Sequence, residues 1–436
     1  MRLRFAFIAT IAPRCIFPVR DSLCTVKQIL SIRWSPQLSY MASAALTASM
    51  SLLLSIVYSR DLGAQNRGIV GMVFLTSLIF ATVVLGGLNL TFRSHASQIS
   101  VRAHGIEFLF LSLVISLIGS LFVVFIATCY SSFKSLVPIN FLYVSAIYSF
   151  FSIVLSQTFQ VLLSAQLISL RWKLELLMVS IQVFTYLLLR SIEYASTAVN
   201  VLISLIFSYV LVLFISLWKI GRNNLLKPRR SLKKQNLIDL FSASKVNARY
   251  SMQMAILDRL DRVIVLVIFP TAIYGVYSFI TGVISFARFL PESFSTLIVA
   301  KRLEGLEGRI HFSSSMRRII LVLVAILVGC SSYLVTKITF GTTASISFWI
   351  PVLFVLAELL RGAYIANISY LFRHHSSTVS SRSSLFILFV FISLVLLLIN
   401  WIGISAIPLS LVISYLFGMR IFGILHINKT NNDMNE

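Results

Sequence analysis

Acidic side chains are scarce in this chain of 436 residues: 14 aspartates and glutamates stand against 37 lysines and arginines, and charged residues of both signs make up only 12%. Soluble domains carry roughly 25% charged residues. So sparse a charge, beside 58% hydrophobic residues, excludes a soluble enzyme and a disordered chain. Cysteine is equally thin. Cys15, Cys24, Cys129 and Cys330 stand without CxxC or CxxH spacing, so neither a disulfide framework nor a zinc module is expected. The six histidines include His95, His104, His311 and the pair His374–His375, none spaced with a carboxylate for a metal site. The sequence also lacks GxxxxGK[ST], a DxD pair and HExxH, which leaves ATP coupling and glycosyltransferase chemistry without support. No catalytic residue and no cofactor is therefore expected, and no aromatic-interleaved basic patch points to nucleic acid.

What the chain has in abundance is long apolar runs. Bounded by charge, they lie near residues 37–58, 69–90, 106–128, 137–160, 174–189, 195–218, 250–269, 272–299, 316–336, 345–370, 383–400 and 402–422. At 1.5 Å per residue, each is long enough for a bilayer core of roughly 30 Å. Their continuous apolarity excludes the ten-residue alternation of a membrane β-barrel. The expected fold is all-α and integral to a membrane, with about 12 transmembrane helices. Gln182 makes the fifth run the weakest.

The basic excess is then a matter of topology, because lysines and arginines in short loops stay on the cytoplasmic side. With the N-terminus inside, 28 of the 37 fall in inside segments, 5 (Arg60, Arg67, Lys134, Arg190 and Lys337) in outside loops, and 4 (Arg259, Arg262, Arg288 and Arg361) within spans. Both termini are expected in the cytoplasm. Residues 1–36 read as a basic cytoplasmic tail that is not cleaved, because Pro13–Arg14 follows the short apolar stretch Phe5 to Ala12 where small residues should mark a cleavage site. The longest polar connection, 219–249, is a basic linker suited to an anionic inner leaflet. It divides the chain into six-helix lobes at 37–218 and 250–425, a pseudo-repeat, with a second tail at 426–436.

Short outside loops leave no room for an extracytoplasmic catalytic domain, which counts against a membrane glycan polymerase. A major-facilitator reading would place a Gly-x-x-x-Asp-Arg-x-Gly-Arg-type motif between spans two and three, where this chain has TFRSHASQISVRAHG. A secondary transporter or flippase remains, with its substrate path between two helical halves.

Charge inside a span costs roughly 2.5 to 3.5 kcal/mol per group or more, and so marks either a partner or a polar path. Asp258, Arg259, Asp261 and Arg262 lie on the seventh span. Arg288 and Glu292 bracket Pro291 on the eighth, and Glu358 and Arg361 stand three apart on the tenth. As intrahelical neighbours, Asp258 and Arg262 are candidates to pair, and both aspartates are within range of arginines on other helices. Neutralised structural pairs are one reading. The other is a cationic path, since a guanidinium fork donates two hydrogen bonds to phosphate and stays ionised. Asn89, Gln157, Gln160, Gln166 and Gln182 suit interhelical contact, Gly86–Gly87, Gly275 and Gly282 suit close helix approach, and Trp34, Trp172 and Trp349 suit interfacial anchoring.

Two segments carry a resemblance. Ile56 to Ser97, with Leu62–Gly63, Arg67–Gly68 and Gly71, resembles the first two spans of bacterial polysaccharide and O-antigen repeat-unit flippases (Wzx-type) of the multidrug, oligosaccharidyl-lipid and polysaccharide exporter superfamily. Ala248 to Arg302, with its Arg/Asp pair, Gly275–Val276–Tyr277 and Pro291, is similar to spans seven and eight of that family. The resemblance implies two six-helix lobes around a central cavity in the bacterial inner membrane. It implies a lipid (undecaprenyl-pyrophosphate)-linked oligosaccharide as substrate, moved by alternating access for O-antigen, capsule or exopolysaccharide assembly. A proton or sodium gradient, and contact with the glycan polymerase and chain-length machinery, would be its partners. Cavity candidates are then Arg259, Asp261, Arg262, Arg288 and Arg361, with Asp258, Glu292 and Glu358 structural or coupling. A drug or cation antiporter is the alternative within the superfamily.

Overall fold

The computed structural model describes residues 36–95, 101–134, 139–165, 167–192, 197–222, 249, 252–285, 315–341, 346–374 and 377–433. The N-terminal tail, most of the 219–249 linker, Arg288, Pro291 and Glu292 lie outside the described residues. Every regular element among those described is helical. That is the expected outcome where lipid offers no partner to backbone N–H and C=O groups.

Helix α1 (Pro36–His95) is two spans in one, joined at Gly63, whose φ of 68° and ψ of 174° suit glycine almost alone. Its apolar stretch Ala45–Val84 is 40 residues long, about 60 Å if straight and twice a bilayer core. The chain doubles back at Gly63 instead: Arg67 Nη2 donates to Ser55 Oγ at 3.3 Å, although the two residues would stand about 18 Å apart along a straight helix. Helices α2 (Val101–Lys134), α3 (Ile139–Ser164), α4 (Ile168–Ser191) and α5 (Thr197–Arg222) complete the first lobe. Gln182 does not interrupt α4. It is buried within a continuous helix.

The seventh span is broken. Helix α6 (252–257) ends in a turn at Asp258–Arg259, after which α7 (Leu260–Ile268) starts. Extended Phe269 and Pro270 then stop the chain before α8 (Thr271–Ser285), because proline disfavours the helical conformation in the residue before it. Helices α9 (Ser315–Phe340), α10 (Trp349–His374), α11 (Ser377–Ile402) and α12 (Ala406–Asp433) follow, the last two joined by a 3-10 turn at Gly403, φ 58°. Counting α1 as two spans and α6–α7 as one gives twelve.

The halves repeat one packing scheme. In the first lobe α2 packs on α3, α4 on α5 and α3 on α5; in the second α9 packs on α10, α11 on α12 and α10 on α12, the same three pairings six spans later. Small buried hydroxyls at four-residue spacing line these contacts. Ser112 and Ser116, Ser145 and Ser149, and Ser410 and Ser414 recur one turn apart, and most satisfy themselves on carbonyls of the preceding turn. Between helices, Ser77 and Ser149 meet at 2.6 Å, Tyr58 and Ser204 at 3.0 Å, and Tyr364 and Ser383 at 2.7 Å. The outer faces carry exposed Phe110, Leu117, Phe125, Phe184 and Leu396, the surface a bilayer would cover. At one end of α5, Lys219 and Arg222 lie over the Trp218 ring at 4.8 and 5.7 Å, an interfacial arrangement. Trp349 is exposed as an interfacial anchor should be, whereas Trp172 is buried inside the lobe.

The lobes meet along a glycine seam. A Cβ on Gly275 of α8 would strike the carbonyl of Ala64, and one on Gly68 would strike the carbonyl of Thr271. Gly71 leaves 3.0 Å from its Cβ position to Ser278 Oγ. Gly68 and Gly275 each stand five residues beyond their turn residues, Gly63 and Pro270, so the seam joins equivalent positions of the repeat. Gly282, by contrast, faces open space.

Candidate functional site

The break in the seventh span gathers the charged side chains. Arg259 caps α7 with φ −130° and ψ −13°, outside helical geometry. Its own backbone carbonyl accepts from Arg262 N and Val263 N, both at 3.0 Å. Interrupting a helix inside a bilayer frees backbone polar groups and aims them sideways, as the substrate-binding helices of many transporters do.

Asp258 leaves the helix at this break and does not pair with Arg262. It forms an ion pair with Arg361 of α10, which also donates through Nη1 to Glu358 Oε1 at 3.2 Å. The expected Glu358–Arg361 pair is therefore present, and Asp258 finds its arginine on another helix. Arg361 is 3% exposed, so its charge is held by two carboxylates away from solvent. One helical turn on, Asp261 is 5% exposed and accepts from the Tyr277 hydroxyl of α8 at 3.1 Å, within the fields of Arg262 and Glu358. Among the described residues, three arginines and three carboxylates thus share one polar knot spanning α6, α7, α8 and α10, formally neutral in sum. Arg259 Nη1 turns back to the Asp258 carbonyl at 3.2 Å, and the Arg262 Nε is buried without an acceptor.

Other polar residues went unnoticed in the sequence. Tyr277 belongs to the Gly-Val-Tyr signature, yet its part in holding Asp261 shows only when α7 and α8 fold together. Asp61, beside the Gly63 turn, accepts from the Tyr186 hydroxyl at 2.7 Å and pairs with Arg190 at 3.2 Å, tying the turn to α4. Glu107, one of only 14 acids, is 4% exposed in α2 with Oε2 lacking a hydrogen-bond partner. Arg67, expected in an outside loop, is instead buried at the lobe seam, because the turn at Gly63 takes only one residue and returns Arg67 into the bundle at once. Among the described residues no cluster of three or more histidines, cysteines or carboxylates is placed to hold a metal ion.

The fold this site sits in has known counterparts. A eukaryotic MATE transporter superposes with a TM-score of 0.61 at 14% identity, covering 91% of this chain and 96% of its own. A MATE transporter of Vibrio cholerae gives 0.56 at 14% identity over 92% and 97%. An inward-facing multidrug resistance MATE family transporter of the MOP superfamily gives 0.56 at 12% identity over 93% and 98%. No protein-family model and no curated protein matches the sequence. The chain has the all-α, two-lobe, twelve-helix fold of MATE transporters, over nearly the whole length of both partners.

Proposed function

We propose that this protein is a flippase of the bacterial inner membrane, which carries an undecaprenyl-pyrophosphate-linked oligosaccharide repeat unit from the inner to the outer leaflet for O-antigen, capsule or exopolysaccharide assembly. The observation that carries the reading is the charged knot at the broken seventh span, buried in a fold whose counterparts are known in inward-facing and outward-facing states. Alternating access between such states needs two lobes that rock about a fixed centre, and the repeated packing of the two halves supplies them. The polysaccharide branch is favoured by the Leu62–Gly63 and Gly275–Val276–Tyr277 signatures.

Within the knot the arginines have different parts. Arg361, clamped by Asp258 and Glu358, holds α10 against the break. Arg259, in the break, and Arg262, in the first turn of α7, are the better candidates to meet a diphosphate; Arg288, the further candidate from the sequence, lies outside the described residues. Asp261, braced by Tyr277, is suited to proton or sodium coupling, and the glycan polymerase would take up the product outside. A drug or cation antiporter is the second reading, favoured by the multidrug transporters among the structural counterparts and by the neutrality of the knot. Deleting the gene tests both. Loss of surface glycan with lipid-linked units retained on the inner leaflet is the expected result. Intact glycan display with raised sensitivity to cationic drugs would overturn the flippase reading in favour of the antiporter.

A further inference from the structure

Among the described residues, no carboxylate answers the charge of Arg67. It is 7% exposed at the seam between the lobes, and its Nε lacks an acceptor. Among the described residues its hydrogen bond is from Nη2 to the neutral hydroxyl of Ser55, at 3.3 Å, and the other polar groups that act on it are the phenols of Tyr58 and Tyr274. Arg361 is as deeply buried but has two carboxylates. A buried cation inside a bilayer without a counter-ion is costly and marks a functional site by default.

Packing does not demand this charge. Gly68 and Gly275 occupy equivalent places in the repeat, so the residue equivalent to Arg67 is Tyr274, and the two face each other across the seam. One half closes the seam with a neutral aromatic where the other has arginine. The side chain is also aimed inward. Arg67 stands four residues past the Gly63 turn but reaches Ser55, eight residues before it, which carries the guanidinium about 12 Å below the turn, towards the middle of the span.

We propose that Arg67 is an anion-binding residue of the substrate path, whose fork takes the pyrophosphate of the lipid carrier when the lobes part. This rests on the flippase reading and adds a cation from the first lobe to those of the second. The guanidinium exchanges the Ser55 hydroxyl for two phosphate oxygens, so the anion stabilises the open seam relative to the closed one.

The test uses the full chain in detergent, with undecaprenyl pyrophosphate and undecaprenol compared by native mass spectrometry. Wild type should prefer the pyrophosphate, and Arg67→Tyr, which copies the equivalent residue, should weaken pyrophosphate binding roughly tenfold or more while undecaprenol binding and the thermal midpoint hold. Arg67→Lys should fall between, having charge without the fork. Arg60→Met, removing an exposed charge one helical turn and the bend away, should match wild type. Unchanged pyrophosphate preference in Arg67→Tyr, or in Arg67→Lys should Arg67→Tyr fail to fold, overturns this site and leaves the flippase reading standing. Equal binding of the two lipids by wild type overturns both. Complete displacement by equimolar inorganic pyrophosphate overturns the assignment to a lipid-linked anion.

Discussion

Arg361 on α10 closes an ion pair with Asp258 at the break between α6 and α7, and the same guanidinium holds Glu358 one turn before it on its own helix. One cation therefore serves two acids in a place that is almost dry. Removing it takes a cation from both, whereas removing one acid leaves the other paired. Breaking a buried pair from the side that leaves uncompensated charge costs about 3–5 kcal/mol. Arg361→Met should thus cut folded abundance in the membrane far more than Asp258→Asn does. The triple change Arg361→Met, Asp258→Asn, Glu358→Gln should recover most of it, read by detergent thermal shift and size-exclusion profile. Equal loss in Arg361→Met and the triple variant would show that Arg361 packs and does not pair.

The seam makes a sharper claim about two glycines on one helix. A methyl on Gly275 meets backbone on both sides, the Ala64 carbonyl and the Gly68 nitrogen at 2.8 Å, and backbone cannot swing aside as a side chain can. A methyl on Gly282 meets nothing. Gly275→Ala should therefore prevent the lobes from closing here and, on the proposed function, abolish transport, and Gly282→Ala should be silent. Maleimide labelling of a cysteine placed at buried Thr271, in a background with the native cysteines replaced by serine, reads the difference. Equal labelling in the two glycine variants would mean that the seam is not a closing contact.

Span number and helical class were legible in the sequence because both depend on length and apolarity, which a bilayer reads directly. Asp258, Asp261, Glu358 and Arg361, which the structure brings together, stood out in the sequence for the same reason, since charge in an apolar run is conspicuous. The Glu358–Arg361 pair was legible too, from its spacing, but which arginine Asp258 takes was not. Helical spacing pointed Asp258 at Arg262, but the break at Arg259 is a tertiary event: Arg361 and Tyr277 draw the two acids in different directions, and only the packing of α8 and α10 brings those groups near. Arg67 was hidden by the converse error. A charge between two apolar runs reads as a loop, and nothing local reveals that the Gly63 turn ends within one residue.

The turn itself is held by Asp61, which takes a hydrogen bond from Tyr186 at 2.7 Å and an ion pair from Arg190 at 3.2 Å. The two contacts differ in value. Arg190 is more than half exposed, so its pair contributes at most about 1 kcal/mol. A buried hydroxyl donating to a carboxylate contributes about 1.5–3 kcal/mol. Tyr186→Phe should accordingly lower the thermal midpoint clearly more than Arg190→Met does. The reverse order would place the anchor of the turn in the ion pair.

Topology gives the last prediction, and it bears on which state the seam represents. The turns at Gly63 and at Phe269–Pro270 follow the first and seventh spans, which begin inside if the basic segments are cytoplasmic, so both turns and the glycine seam fall on the outer side. On the alternating-access reading proposed above, lobes joined at the outer side correspond to an inward-facing state. Reporter fusions after Lys134 and Lys337 should then be active for an outside-specific enzyme, and fusions after Lys234 and at the C-terminus silent. A membrane-impermeant thiol reagent should likewise reach a cysteine at exposed Arg60 from outside the cell. Activity of the outside reporter after Lys234 would invert the chain, put the seam on the cytoplasmic face and turn the inward-facing state into an outward-facing one.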